Sequence, residues 1–373
     1  GDEKKPDEDP LRWHVSAERA AEIQKLKCGQ KSKSTGRILS CGNDNLFKDT
    51  KALAKWASSP TPTRTTDYHN HHFNSDKWDL VPLRKGDIVI ATFAKSGTTW
   101  SMAIVGFLLL NKGLYPPLGE DEALLNRMPW VDMRIIPVVP TKMMVESQPL
   151  SRVLKTHLPL DGLAYNPNVK YIEVVRDPRD VLMSVLHHWC TFKESFLTMA
   201  NMDPFRAGPP IPKCVEGKVD ANKYFSGMLQ GTTEGDNWLW SYWQHVSTWW
   251  AYRHLDNVHI VHYSNLKKDF EGELKRIAKF LEIEAEDELV AKVKEQTSLE
   301  NMRTSSNIVQ DVDAFFEGGK QSFINKGTNQ RWKEVLKEDD MKLMEKIAAQ
   351  KLPADCWHFL KTGELPAIEK QEL

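Results

Sequence analysis

Cysteine is scarce. The five in 373 residues, Cys28, Cys41, Cys190, Cys214 and Cys356, are scattered, with no CxxC pair and no histidine at metal-ligand spacing. That scatter argues against a zinc site and favours reduced intracellular thiols over a disulfide frame. Long apolar runs are lacking too. The stretch Met102 to Leu110 covers nine residues, about half of the roughly 20 that a membrane-spanning helix needs. No basic start followed by an apolar region is present, so no secretory signal is read, and a cytoplasmic location is expected. Charge of one sign is missing as well. With 50 Lys+Arg against 51 Asp+Glu, the net charge is -1, which leaves a local basic pocket open but no bulk attraction to nucleic acid. No membrane partner is expected either. Neither an internal repeat nor a long low-complexity segment is found.

What is present is enough chain, 40% hydrophobic, for one large domain or two modest ones. The first ten residues, GDEKKPDEDP, hold five acids, two lysines and two prolines and read as a mobile tail. Ser16 is placed to cap a helix over Ala17 to Lys27, and a second weak helix is expected from Leu46 to Trp56. Ser58 to Asp76 reads as a polar linker. Asp87 to Phe93 (DIVIATF) is then a buried strand, followed by helical spacing over Thr98 to Leu110. Further strands are expected at Arg152 to Thr156, Tyr171 to Val175 and Val258 to Tyr263. Pro178 opens a helix to about Trp189, and an amphipathic helix covers Asp269 to Leu281. Alternating strands and helices predict an α/β fold with a central, mainly parallel sheet flanked by helices. Residues 1–80 read as an N-terminal extension, partly disordered or weakly helical, and 81–373 as the main domain. Cys190 to Asp236 reads as irregular, a functional loop or lid. Five of the 13 tryptophans fall between Trp238 and Trp250. Packing is the first explanation for them, substrate stacking the second.

The segment Thr92 to Trp100, TFAKSGTTW, carries the most chemistry. Between a buried strand and a helix, Gly97 permits close backbone approach, the helix N-terminus supplies positive potential, and Lys95, Thr98 and Thr99 add donors. Such a turn suits a phosphate-like anion. It is not the G-x-x-x-x-G-K-[ST] loop, because the lysine precedes the glycine. His157, just beyond a strand, has the ordinary pKa of a base at neutral pH. Lys155, two residues earlier, lies on the same side of an extended chain. The other histidine groups, His69, His71 and His72 in the linker and His187 and His188 on a helix, read as solvated or packed.

TFAKSGTTW resembles the 5′-phosphosulfate-binding loop of the cytosolic sulfotransferase family. The likeness continues in order through Pro129-Trp130-Val131, Lys155-Thr156-His157-Leu158-Pro159, Val175 to Val181 with Ser184, and His245-Val246 with Trp249-Trp250. It ends with Tyr263, Thr297-Ser298-Leu299 with Met302, and Lys326-Gly327 with Trp332. The resemblance implies a single sulfotransferase domain resembling P-loop nucleotide kinases. It also implies transfer of a sulfuryl group from 3′-phosphoadenosine 5′-phosphosulfate (PAPS) to a hydroxyl or amine of a small molecule. The product would be 3′-phosphoadenosine 5′-phosphate (PAP), and no metal is called for. On this likeness His157 is the general base, Lys95 stabilises the leaving phosphate and Lys155 holds the sulfuryl oxygens. Lys95, Ser96, Gly97, Thr98, Thr99 and Trp100 form the donor loop. Arg176, Ser184, Lys326 and Gly327 meet the 3′-phosphate, while Trp100, Tyr263, Thr297, Leu299 and Met302 surround the adenine.

This chain departs from the pattern at three places. Leu299 stands where an aromatic is usual. Asn325 stands where an arginine is usual, which leaves Lys320 or Arg331 to supply the missing cation. The family's dimerisation motif is not recognisable after Trp332, so monomer and dimer stay open. An acceptor pocket is expected beside His157, walled by residues 130–134 and 190–236, with Trp130, Asp132 and Arg134 as candidate contacts and an Asp132–Arg134 wall ion pair as the alternative. Three other activities also stay open: a nucleotide-dependent phosphotransferase, a non-catalytic nucleotide-binding scaffold of the same fold, and a dehydratase acting through a sulfonated alcohol.

Overall fold

Uninterrupted β-branched runs suit strands buried on both faces, as at the centre of a parallel sheet. In the computed structural model, which describes residues 15–42, 46–148, 151–201, 207–215, 217–310 and 312–365, Ile88–Thr92 takes that place. The tail expected at 1–10 lies outside these residues. Ile38–Ser40 (β1) pairs in parallel with Thr66–Tyr68 (β2). Ile88–Thr92 (β3), Val153–Thr156 (β4), Lys170–Val175 (β5) and Val258–His262 (β6) form a wholly parallel sheet of order β4-β3-β5-β6.

Period-two alternation sorts the strand residues into two cores. Val89, Ala91, Leu154 and Tyr171 join Trp243, Trp249 and Trp250 on one face. Ile88, Ile90, Val153 and Ile172 meet Met102, Ile104 and Leu108 of the helix Thr98–Asn111 on the other. The tryptophan-rich helix, Tyr242–Ala251, is capped by Ser241 and packs as expected, with Trp243, Trp249 and Trp250 at most 1% exposed. Helices Ala17–Lys25, Pro178–Cys190 and Phe270–Phe280 also form where the sequence predicts them. The second weak helix is shorter, Thr50–Trp56, because Asp49 supplies its cap.

Three expectations are corrected. The polar stretch 58–76 is no linker: it contains β2, and Tyr68 and Phe73 enter the main core. Its polarity is spent on buried pairing. Arg19, 4% exposed, binds Asp76 at 2.7 Å, Asp67 at 2.8 Å and Glu22 at 2.9 Å. The Thr66 and Tyr68 hydroxyls donate to Asp161 at 2.6 and 3.0 Å. Residues 190–236 are not irregular throughout, since they hold helices Glu194–Asn201 and Ala221–Gln230. The thiols are not all reduced: Cys28 is bonded to Cys41 and Cys190 to Cys214, leaving Cys356 free and buried. Spacings of 13 and 24 residues carry no local signal; the fold brings these pairs together.

Candidate active site

The carboxyl ends of β3, β4, β5 and β6 deliver the loop Phe93–Gly97, His157, Arg176 and Tyr263 to one edge of the sheet, where open α/β sheets bind ligands. The loop is tightly built. Lys95 and Gly97 have φ of 62° and 116°, and a Cβ on Gly97 would stand 2.7 Å from the Tyr263 ring. Thr98 begins the following helix, and its hydroxyl lies 2.6 Å from that of Thr92. Thr99 sits beside it, half-buried.

Several buried polar atoms here have no partner among the described residues: the Ser96 hydroxyl, Arg176 Nε and Arg331 Nε. Unpaired buried donors are costly unless a ligand meets them, and this set suits an anion. Arg176 also donates to the Lys95 carbonyl at 3.1 Å and to Asn329 Oδ1 at 2.9 Å, with its guanidinium 4.3 Å over the Tyr263 ring. Arg331 is close enough to lower the Arg176 pKa, after the larger effect of burial. Asn325 accepts from its neighbour Lys326 N at 2.7 Å. Lys320 is committed to the Ser305 carbonyl at 2.8 Å. Of the two cations, Arg331 keeps a buried, unpartnered Nε near Arg176, whereas Lys320 is already bonded. Ser184 is half-buried on the helix Pro178–Cys190, Lys326 is exposed, and Gly327 lies against the Tyr263 hydroxyl.

Aromatic side chains adjoin this cradle. Trp100 donates to the Thr297 carbonyl at 3.0 Å and meets Tyr263 edge-on at 5.8 Å. Met302 is buried there, whereas Leu299, at the start of the helix Leu299–Thr304, is 44% exposed.

His157 is 6% exposed, with Nδ1 donating to the Thr92 carbonyl at 2.7 Å. That bond fixes the tautomer and leaves Nε2 as the proton acceptor. Burial, then Lys155, hold its pKa well below the ordinary histidine value, so the ring is neutral. Lys95 is pushed down to about 7 by burial, Arg176 and Lys155, and Lys155 to about 8 by burial. Lys95 Nζ rests 3.4 Å from His188 Nδ1. Lys155 Nζ sits 4.2 Å over Trp130, because residues 129–131 pair along β4 through the Lys155 backbone.

The acceptor side is aromatic. The Trp130 ring lies 4.6 Å and the Trp240 ring 6.0 Å from the His157 ring, so two indoles border the histidine. Asp132 is a wall residue: it takes the Trp78 indole at 3.1 Å, the Trp130 indole at 2.7 Å and His157 N at 3.4 Å, and burial raises its pKa. Arg134 donates to the His71 and Ala200 carbonyls. Both therefore shape the wall on which Trp130 rests.

Residues 85–354 match the family described as the sulfotransferase domain. The chain belongs to the sulfotransferase family. It is 29% identical over 280 residues to a glycolipid sulfotransferase of Mycobacterium bovis (strain BCG / Pasteur 1173P2), covering 70% of this chain and 84% of that one. It is also 29% identical over 269 residues to sulfotransferase 1B1 of Canis lupus familiaris, covering 69% and 82%. Among solved structures, retinol dehydratase in complex with androsterone and the inactive cofactor PAP superposes with a TM-score of 0.56 at 21% identity, over 73% of this chain and 82% of that one. A mouse sulfotransferase complexed with PAP gives 0.54 at 19%, over 75% and 89%. At these identities the likeness is one of fold. It agrees with the α/β sheet expected from the sequence, and the chain is a sulfotransferase enzyme.

His72 and His188, read from the sequence as solvated or packed, are packed among aromatic rings. The fold turns one toward Trp130 and Trp240 and the other toward Lys95. No spacing signal marked either residue. Among the described residues no helix is long and apolar enough to cross a membrane.

Proposed function

We propose that the protein transfers a sulfuryl group from PAPS to a hydroxyl or amine of a small-molecule acceptor, by in-line displacement with His157 as general base. The observation that carries this reading is His157 held with Nε2 free beside two lysines, at the rim of a cradle with unpaired buried donors. The donor supplies the sulfuryl group on a phosphate oxygen. Ser96, Gly97, Thr98 and Thr99 fit its 5′-phosphate, and Arg176, Ser184, Arg331, Lys326 and Gly327 its 3′-phosphate. Trp100, Tyr263, Thr297, Leu299 and Met302 fit the adenine. His157 takes the acceptor proton at Nε2, Lys95 offsets charge on the leaving phosphate, and Lys155 orients the sulfuryl oxygens. Positioning and preorganised charge do most of the work, as in phosphoryl transfer.

In this reading residues 85–354 carry the donor cradle, and the 66–80 part of the extension completes the acceptor wall. The relatives' names point to acceptors of the glycolipid and small-alcohol kind. The two disulfides favour an oxidising compartment over the cytoplasm expected from the sequence.

The test is incubation with PAPS and a mixed library of phenols, alcohols, amines and sugars, read as mass gain. Thermal stabilisation by PAP checks donor binding separately; about 2.7 kcal/mol is expected at a hundredfold excess over Kd. Absence of both sulfonated product and stabilisation overturns the reading.

A further inference from the structure

Glu173 lies within β5 and His245 within the helix Tyr242–Ala251, and both are 0% exposed. Glu173 Oε1 stands 3.0 Å from His245 Nε2. The transfer mechanism proposed above gives neither residue a task. Glu173 Oε2 and His245 Nδ1 complete no hydrogen bond among the described residues. The His157 carbonyl nevertheless acts on the His245 ring as an acceptor, raising its pKa against the larger lowering by burial. With Nε2 taken by Glu173, the atom that meets this carbonyl is Nδ1. The same helix holds the turn after His157 at two further points. Trp249 Nε1 donates to the Leu158 carbonyl at 3.2 Å, and Thr248 Oγ1 accepts from Leu160 N at 3.0 Å.

Charge places the protons of this pair. No charged side chain shifts either group: burial raises the Glu173 pKa well above the usual carboxylate value, and burial and the His157 carbonyl act on His245. A net charge buried without a counter-ion is costly, so one proton is shared between Oε1 and Nε2. Whether it rests on the acid or on the ring, neutrality puts the second proton on Nδ1. A carboxylate facing a ring protonated on Nε2 alone would bury a net charge and turn a lone pair toward the His157 carbonyl.

We infer that Glu173 and His245 are positioning residues for the base: Glu173 fixes a proton on His245 Nδ1, and His245 presents it to the His157 carbonyl, holding the backbone that aims His157. The inference rests on the reading of His157 as general base, but the proton on His245 Nδ1 is a property of the fold. The His157 ring is bonded to the Thr92 carbonyl at the end of β3, and its backbone is tied to β5 through His245. Two anchors on neighbouring strands fix the direction of Nε2. A misplacement of about 1 Å is enough to cost about a hundredfold in rate.

Glu173→Leu removes the partner of His245 Nε2, whereas Glu173→Gln replaces it with an amide that still donates. With PAPS and 4-ethylphenol, kcat should fall at least about tenfold in Glu173→Leu while the PAP Kd stays unchanged. Glu173→Gln should recover most of the loss. Equal losses in the two variants overturn the inference, as does a parallel loss of PAP affinity, which would mark a general loosening of the fold. Proton–nitrogen correlation NMR of histidine-labelled protein reads the same arrangement without turnover, with His245→Asn and His157→Ala assigning the two rings. Wild-type His245 should be protonated at Nδ1, and the His157 signal should move in Glu173→Leu but not in Glu173→Gln. A His245 protonated on Nε2 alone, or a His157 signal indifferent to Glu173→Leu, overturns the inference. The expected NMR pattern without any sulfonated product would support the positioning pair and count against the reaction.

Discussion

Gly97 and Tyr263 touch so closely that a Cβ on the glycine would stand 2.7 Å from the tyrosine ring, and the glycine's φ is 116°. Both facts forbid a side chain there. Gly97→Ala would either push Tyr263 away or flatten the loop, at a backbone cost of about 1–2 kcal/mol before the clash is counted. PAP affinity should fall at least about tenfold by isothermal titration. An unchanged affinity would show that the loop does not touch the nucleotide.

His157→Ala should lower kcat by about a hundredfold or more, the usual contribution of a general base, while PAP binding persists. The pH profile adds an independent check. Because the His157 pKa lies well below 6.5 in the folded protein, the ring stays neutral and able to accept a proton as pH falls through 6.5. The acidic limb of kcat/KM should therefore lie below the ordinary histidine range. A limb centred at or above 6.5 would assign the base elsewhere.

The sheet and the donor loop were legible because they depend on local runs. IVIAT can be buried on both faces, and KSGTT must turn into a helix. Residues 130–134 were legible beside His157, but the packing of the 66–80 segment against them was not. His71 and His72 sit in a polar stretch whose Thr66, Asp67 and Asp76 are paired with Asp161 and Arg19, partners distant in the chain that let polar residues be buried. The disulfides were missed for a similar reason, since neither spacing resembles a motif. Arg331 was named only because Asn325 left a cation wanting; the unpaired Arg331 Nε beside Arg176 gives that substitution a physical basis.

Lys95, at a pKa of about 7 in the free protein, is mostly neutral at pH 8. A bound polyanion raises that pKa, so PAP binding should take up a proton at pH 8 and almost none at pH 6. Titration calorimetry in two buffers of different ionisation enthalpy measures the uptake. Lys95→Met should remove most of it, the remainder belonging to Lys155, which is also partly neutral at pH 8; uptake undiminished by the substitution would exclude Lys95.

If Arg331 supplies the cation that Asn325 lacks, Arg331→Ala should weaken PAP binding by about tenfold, the loss of a charge-assisted contact. Asn325→Arg in that background should recover most of it. No loss from the first change, with a gain from the second in the wild type, would mean that the 3′-phosphate is simply held by one arginine fewer.

The disulfides make a prediction that needs no substrate. Iodoacetamide under denaturing, non-reducing conditions should add one label, at Cys356, whereas prior reduction should allow five. Cys190 ends the helix that carries His187 and His188, and its bond ties that end to the segment 207–215. Each bond closes a loop worth about 2–4 kcal/mol of constraint on the unfolded chain, so reduction should lower Tm as well. Five labels without reduction would return the protein to a reducing compartment, and would leave the helix end bearing His188 without its covalent tie.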